Sequence, residues 1–316
     1  MTESHASAPG KVILFGEHAV VYGRPAIAVP VGGVRAMAQL RPLPAGAGFR
    51  LIAPDLSRDY WLTDAPDDDP LAAIVRRTLR YCDDAAVPAA ELTVTSTIPL
   101  GRGLGSGAAI STAIARSLAQ FLGRLLSPAE VSNLVFEVEK YYHGTPSGID
   151  NTVVAFEQPV YFIKDRPMQR VRVARPLTLL VGDTGVAAST RTVVADLRYR
   201  WQAVPERYEG YFDEIGVIAR HAKLLIEQET MPVSTLGKLM NENHQILQAI
   251  GISHPQLDAL VSAALASGAW GAKLSGAGWG GNMIALVPPE GEAITRVTEA
   301  LLAAGAVGVI TTVVGS

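Results

Sequence analysis

The chain has 316 residues, 48% of them hydrophobic, with 27 Lys and Arg against 30 Asp and Glu and a formal net charge of −3. That composition supports a sizeable core and argues against disorder. The length favours two domains over one, and a pI near 6.1 argues against a nucleic-acid partner, since a general polyanion binder is usually basic. One cysteine, Cys82, permits no internal disulfide, and no Cys/His cluster has zinc spacing. The opening residues lack a signal-peptide pattern, and no run of about 18 apolar residues is present to span a bilayer. The sequence therefore reads as a cytoplasmic protein with no membrane partner.

In chain order, "KVILFG" (11–16) is a short apolar run closed by glycine, the pattern of a buried strand. The stretch 24–43 continues as strand, with turn signals at Pro30 and at Gly32-Gly33. Residues 44–70 are rich in Pro, Gly and Asp and end in "DAPDDDP", an exposed connection whose acidic run reads as a solvated loop rather than a metal site. A helix is expected over 70–82, a strand over 91–99 that stops at a proline, and an Ala- and Leu-rich helix over 106–122. The next helix carries Ser127 as N-cap, Pro128 at the first helical position and Glu130 at the capping-box offset.

Strands follow at 158–164 and 176–185, then mainly helix over 189–229, 234–249 and 255–267. "GAKLSGAGWGGNMIALV" (271–287) reads as strand, glycine loop, strand; a helix over 290–305 and a strand over 307–314 close the chain. Strands and helices do not alternate strictly, which favours α+β over a doubly wound sheet. A charged, proline-bearing stretch near 165–175 marks the boundary between domains at 1–168 and 169–316.

"PLGRGLGSGAAIST" (99–112) places glycines ahead of a helix N-terminus, where free N–H groups and the helix dipole favour an anion. It is not a P-loop, because no lysine follows Gly107. Gly103, Gly105 and Ala108 match the spacing of a dinucleotide fingerprint, but the loop lies mid-chain and no acid follows at the expected offset of ~20 residues. Taken alone, the loop is equally a tight turn with small residues for helix packing.

Two further stretches arrive with it in order: "SAPGKVILFGEHAVVYG" (7–23) and "KLSGAGWGGNMIAL" (273–286). Together the three resemble the GHMP kinase superfamily. Within it, the opening motif and "HGTPSGIDNTV" (143–153) are most similar to the mevalonate kinase family. The resemblance implies an α+β, two-domain GHMP kinase fold. Its N-terminal domain would be of the ribosomal protein S5 domain 2 type, its C-terminal domain ferredoxin-like, and its active site would lie in the cleft between them. It implies ATP and Mg²⁺ as cofactors and mevalonate, phosphorylated on its primary hydroxyl, as the small-molecule substrate. A sibling kinase acting on phosphomevalonate or a sugar, and a non-catalytic ligand sensor, remain as alternatives. A homodimer is left open.

Residue by residue, the resemblance makes Asp150 the general base and places Lys11 beside it to hold negative charge. Read without it, Asp150 is an Asx-turn aspartate and Lys11 a solvated strand-edge lysine. The backbone of Pro99, Gly101, Gly103, Leu104, Gly105, Ser106, Gly107 and Ala108 would cradle the ATP phosphates. Glu139, 11 positions before Asp150, would bind Mg²⁺ with Ser106. Substrate contacts would come from Glu17, His18, Ser147, Thr190, Gly276 and Ala277, with Arg191 as a charge partner. Gly107 is a departure: the family usually has a second serine there, linked to Mg²⁺, which leaves Ser106, Ser111 or water to fill the position. Trp279 stands where many members have glycine or another residue.

Overall fold

A computed structural model describes residues 2–82, 87–143, 146–230 and 232–315. The chain divides into two compact units that interleave along the sequence. One comprises Met1–Gly10, Val34–Pro99 and Gly105–Glu157; the other comprises Lys11–Gly33, Leu100–Leu104 and Gln158–Ser316.

Among the described residues, the first unit holds strands of a sheet and four α-helices. β2 (Ala26–Pro42) supplies Ala36–Pro42, which pair antiparallel with β5 (Ala90–Ser96). β5 pairs in parallel with β3 (Phe49–Ala53), which forms an antiparallel hairpin with β4 (Arg58–Trp61). The hairpin corrects the expectation of an exposed connection over 44–70. "FRLIA" buries alternate residues Phe49, Leu51 and Ala53, a period-2 signal that the surrounding Pro, Gly and Asp obscure. Asp69, the last residue of the acidic run, is buried as the N-cap of α1 (Pro70–Tyr81), accepting from the Leu71 N–H at 2.8 Å and holding Arg58 at 2.9 Å.

α2 (Ser106–Phe121), α3 (Pro128–His143) and α4 (Ile149–Phe156) pack on one another, and α1 packs on α2 and α3. The capping box forms as expected: the Ser127 N–H donates to Glu130 at 2.7 Å and the Glu130 N–H to Ser127 at 3.3 Å. The turn signals in β2 produce no turn. Gly32 and Gly33 stay out of the left-handed region, and a Cβ on Gly33 would come within 3.0 Å of the Thr311 carbonyl, so this glycine serves close packing. Pro30 lies between the residues of β2 that pair with β6 (Val160–Phe162) and those that pair with β5, where its missing N–H leaves both ladders intact.

The second unit is built on a four-stranded antiparallel sheet. Its strand order is β11 (Gly308–Val314), β8 (Leu177–Asp183), β10 (Asn282–Val287), β9 (Gly271–Ser275). α7 (Val233–Ala249) and α8 (Pro255–Ala266) pack on it, with α9 (Gly291–Ala303) against β8, β10, β11 and α8. The helical run expected over 189–229 breaks at Val204 into α5 (Thr190–Ala203) and α6 (Pro205–Ile226), because Pro205 cannot continue a helix and suits the start of one. The core joins Leu180, Leu197, Phe212, Leu247, Leu274 and Met283 among others. The same unit holds Lys11–Phe15 of β1 (Ser4–Phe15), the N-terminal part of β2 with β6, and β7 (Gln169–Arg170).

Candidate active site

The end of β1 and the turn after it are fixed by sterics. Gly16 adopts φ 98°, and a Cβ there would lie 2.5 Å from Ala26 Cα, so only glycine fits. His18 follows at φ 58°. Three ties join this first motif to β9 and the glycine loop after it. The Ser275 hydroxyl both accepts from the Ile13 N–H and donates to its carbonyl, each at 3.0 Å. Glu17 forms an ion pair with Lys273, both side chains being 0% exposed. His18 Nε2 lies 2.7 Å from the Ala277 carbonyl. A carbonyl only accepts, so Nε2 carries the proton. Burial lowers the His18 pKa to about 4, which keeps the ring neutral with Nδ1 as an acceptor. In the Glu17–Lys273 pair burial pushes the carboxyl up and the ammonium down, and each partner opposes the other's shift.

The two glycine loops of this unit meet. Asn282, at the start of β10, donates its amide to the Arg102 carbonyl, and the Lys11 N–H donates to the Leu104 carbonyl at 2.9 Å. Arg102 Nε stands 3.5 Å from Asp183, at the end of β8. In the C-terminal loop Gly276, Gly278, Trp279, Gly280 and Gly281 all have positive φ. A Cβ on Gly280 would lie 2.6 Å from the Val186 carbonyl. Trp279 is partly buried against the core of this unit: its backbone N–H donates to the Ile252 carbonyl at 2.8 Å and its indole N–H to the Gly251 carbonyl at 3.0 Å.

In the first glycine loop Gly101, Gly103 and Gly105 have φ of 68–78°. Gly105 is the N-cap of α2 and carries no side-chain cap, so the first N–H groups of α2, at Ser106, Gly107 and Ala108, point away from any intrahelical acceptor. Pro99 precedes the loop, Leu104 is buried within it, and a Cβ on Gly101, Gly103 or Gly107 would meet nothing within 4 Å. This open glycine backbone fits phosphate groups.

In the first unit, Ser106 lies at the start of α2 and Glu139 in the last turns of α3, each partly exposed. Their oxygen donors fit a hard cation such as Mg²⁺. Asp150 sits in the first turn of α4, where a helix favours a negative charge. Asp150 is thus helical and not the Asx-turn aspartate that the residues alone suggest: Gly148, at φ 88°, is the N-cap, and Ser147 accepts from the Ile149 N–H at 3.4 Å. Gly144 and Thr145 of that motif lie outside the described residues. Asn151 is buried and donates to the Ser132 hydroxyl and carbonyl at 2.9 and 3.1 Å, tying α4 to α3.

Thr190 opens α5 behind the N-cap Ser189, and both Thr190 and Arg191 are exposed. Glu17, for which the resemblance implies a substrate contact, is wholly buried and paired with Lys273. Sequence reasoning passed over Lys273, although a lone charge inside the apolar strand "GAKLS" is the signal that would have found it.

Family models for the GHMP kinases N terminal domain and the GHMP kinases C terminal match residues 72–158 and 228–306. The mevalonate kinase of Pyrococcus horikoshii is 36% identical over 98% of this chain and 95% of its own, and that of Aeropyrum pernix 35% identical over 92% and 90%. The structure of L. major mevalonate kinase in complex with R-mevalonate superposes with a TM-score of 0.85 at 27% identity, covering 98% of this chain and 95% of that one. Full-length identity at this level, with both family domains in order, means that the chain belongs to the GHMP kinases and, within them, to the mevalonate kinase family.

Proposed function

We propose that this protein is a mevalonate kinase that transfers the γ-phosphoryl group of ATP to the primary 5-hydroxyl of (R)-mevalonate, giving 5-phosphomevalonate and ADP. The observation that carries the reading is the full-length similarity to mevalonate kinases, 36% over 98% of the chain, joined to the open glycine backbone ahead of α2. The family domains would divide at 168/169, and the protein would act in the cytoplasm.

Phosphoryl transfer to an alcohol needs the nucleotide held, the hydroxyl proton accepted and the developing charge offset. The N–H groups at the start of α2, with the left-handed glycines before them, hold the phosphates. Asp150 accepts the hydroxyl proton from the first turn of α4. Lys11 supplies positive charge toward the reacting oxygens. His18, neutral with Nδ1 as acceptor, suits a substrate hydroxyl, which can donate, better than a carboxylate, which cannot. Gly276 and Ala277 offer backbone to the substrate, and Ser147, Thr190 and Arg191 are further contacts. Glu139 and Ser106 would hold Mg²⁺, which when bound neutralises charge on the β- and γ-phosphates.

A coupled assay for ADP with ATP, Mg²⁺ and mevalonate should show turnover. Asp150→Asn should abolish it while leaving nucleotide binding within about twofold, since its loss touches a step and not the phosphate cradle. No ADP from mevalonate, with turnover on phosphomevalonate or a sugar instead, would move the protein to a sibling activity.

A further inference from the structure

Resting on that reading of His18 and Ala277, we propose that Lys273 is a positioning residue of the kinase site. By pairing with Glu17 inside the second unit, it sets the turn that carries His18 in register with the glycine loop that carries Ala277.

The pair is a costly way to fill space. Both side chains are 0% exposed, and a buried ion pair commonly contributes no more stability than apolar residues of the same volume. What it supplies instead is direction. Lys273 Nζ bonds both Glu17 Oε1 and, at 2.7 Å, the carbonyl of Leu274, so the ammonium is aimed by its own strand. Glu17 in turn is the residue before His18, whose ring reaches Ala277, four residues beyond Lys273. With the Ser275 clasp on Ile13, residues 13, 17 and 18 are each tied to one of 275, 273 and 277. The two outer ties join neutral groups. Only the middle one acts over distance and selects one partner, and an apolar contact there, being non-directional, would let the turn shift. The second carboxylate oxygen, Glu17 Oε2, is buried with no hydrogen-bond partner, so the Lys273 side of Glu17 carries its anchoring. The titratable groups facing the pair are Lys11, whose ammonium favours the Glu17 carboxylate, and His244 on α7, a ring that burial keeps neutral and whose charging Lys273 further disfavours.

Three variants test this. E17L/K273M replaces the pair by apolar side chains and should keep or raise the thermal midpoint. It should nevertheless raise KM for mevalonate about tenfold, equivalent to ~1.4 kcal/mol, with KM for ATP within about twofold. Wild-type KM for both substrates in this folded variant would overturn the positioning role. K273R, which keeps the charge, should recover most of the mevalonate KM; a KM as high as in the double variant would also overturn it.

K273M alone leaves the carboxyl without its ammonium and so raises the Glu17 pKa further. A group whose folded pKa lies above its unfolded value contributes stability that is lost as pH rises through the folded pKa. The midpoint of K273M should therefore fall relative to E17L/K273M as pH rises above the ordinary carboxyl range of about 4.3. Parallel curves would overturn the pairing itself. This last readout needs no turnover. A wild type inactive on mevalonate would overturn the proposed function and leave the pair standing.

Discussion

His18 shows how one buried ring ties motif, charge state and stability together. Its pKa falls to about 4 through burial, whereas an unfolded histidine titrates near 6.5. Between these values the unfolded chain binds the proton and the folded one does not. Stability is therefore fully present above about pH 6.5 and falls as pH drops toward 4, by up to ~3 kcal/mol for one such group. His244, also lowered to about 4 by burial against the opposing pull of Asp258, adds to the same slope. Urea midpoints measured from pH 7 to 4.5 should decline, and His18→Gln should flatten that decline by about one proton's worth; an unchanged slope would mean that His18 is not buried neutral.

Glycine positions separate in the same way. Gly107 has no positive φ and open space around a Cβ, so Gly107→Ser should be neutral or stabilising by ~0.5 kcal/mol from helix propensity. Gly280→Ala, at φ 137° and 2.6 Å from the Val186 carbonyl, should cost more than ~1 kcal/mol. Thermal midpoints of the two variants check this. The missing hydroxyl at 107 is thus a matter of chemistry and not of space. Which glycines are locked is not legible in the sequence, because it depends on residues far along the chain such as Ile252 and Val186.

At the scale of elements, β9 is an edge strand of its sheet, and edge strands need cover. α7 supplies it. Asn241 Oδ1 accepts from the Ala272 N–H at 2.9 Å and His244 Nδ1 from the Leu274 N–H at 3.3 Å. Residues three apart on a helix thereby meet residues two apart on a strand, the repeat of each element. Asn241→Ala leaves a backbone N–H unpaired and should destabilise by ~1–3 kcal/mol, while Asn241→Asp, which keeps an acceptor, should recover part of that. Equal urea midpoints for wild type and Asn241→Ala would show the bond to be dispensable.

Elements with strong local signals were legible in the sequence: α2 from its Ala- and Leu-rich run, α3 from its capping box, the β9–β10 hairpin from glycines between apolar runs. The β3–β4 hairpin and α4 were not. Phe49–Ala53 is five residues long, too short to outweigh its surroundings, and α4 starts on a glycine N-cap that reads as a turn. The continuity of β2 through Pro30 depends on which strands pair with it on either side, and that information lies at residues 90–96 and 160–162.

At the scale of the whole molecule, the motifs that chain order keeps apart fall into two groups. Lys11, Glu17, His18, Leu100–Leu104 and the C-terminal glycine loop belong to one compact unit, and Ser106, Glu139 and Asp150 to the other. The proposed nucleotide cradle is the open glycine backbone ahead of α2. A ligand bound there stabilises the folded chain by mass action, by ~2.7 kcal/mol at a hundred times its Kd. At about 2.1 cal/mol/K per residue of unfolding entropy, a chain of this length should gain roughly 4 °C in thermal midpoint. The gain should appear with an ATP analogue and persist in Asp150→Asn, which leaves the cradle's N–H groups in place. It should shrink in Gly103→Val, where the new side chain is set on a left-handed backbone at φ 78° and occupies the open side of the cradle. An equal gain in Gly103→Val would place the nucleotide elsewhere; loss of the gain in Asp150→Asn would tie phosphate binding to the carboxylate and remove the separation of holding from proton transfer on which the proposed chemistry depends.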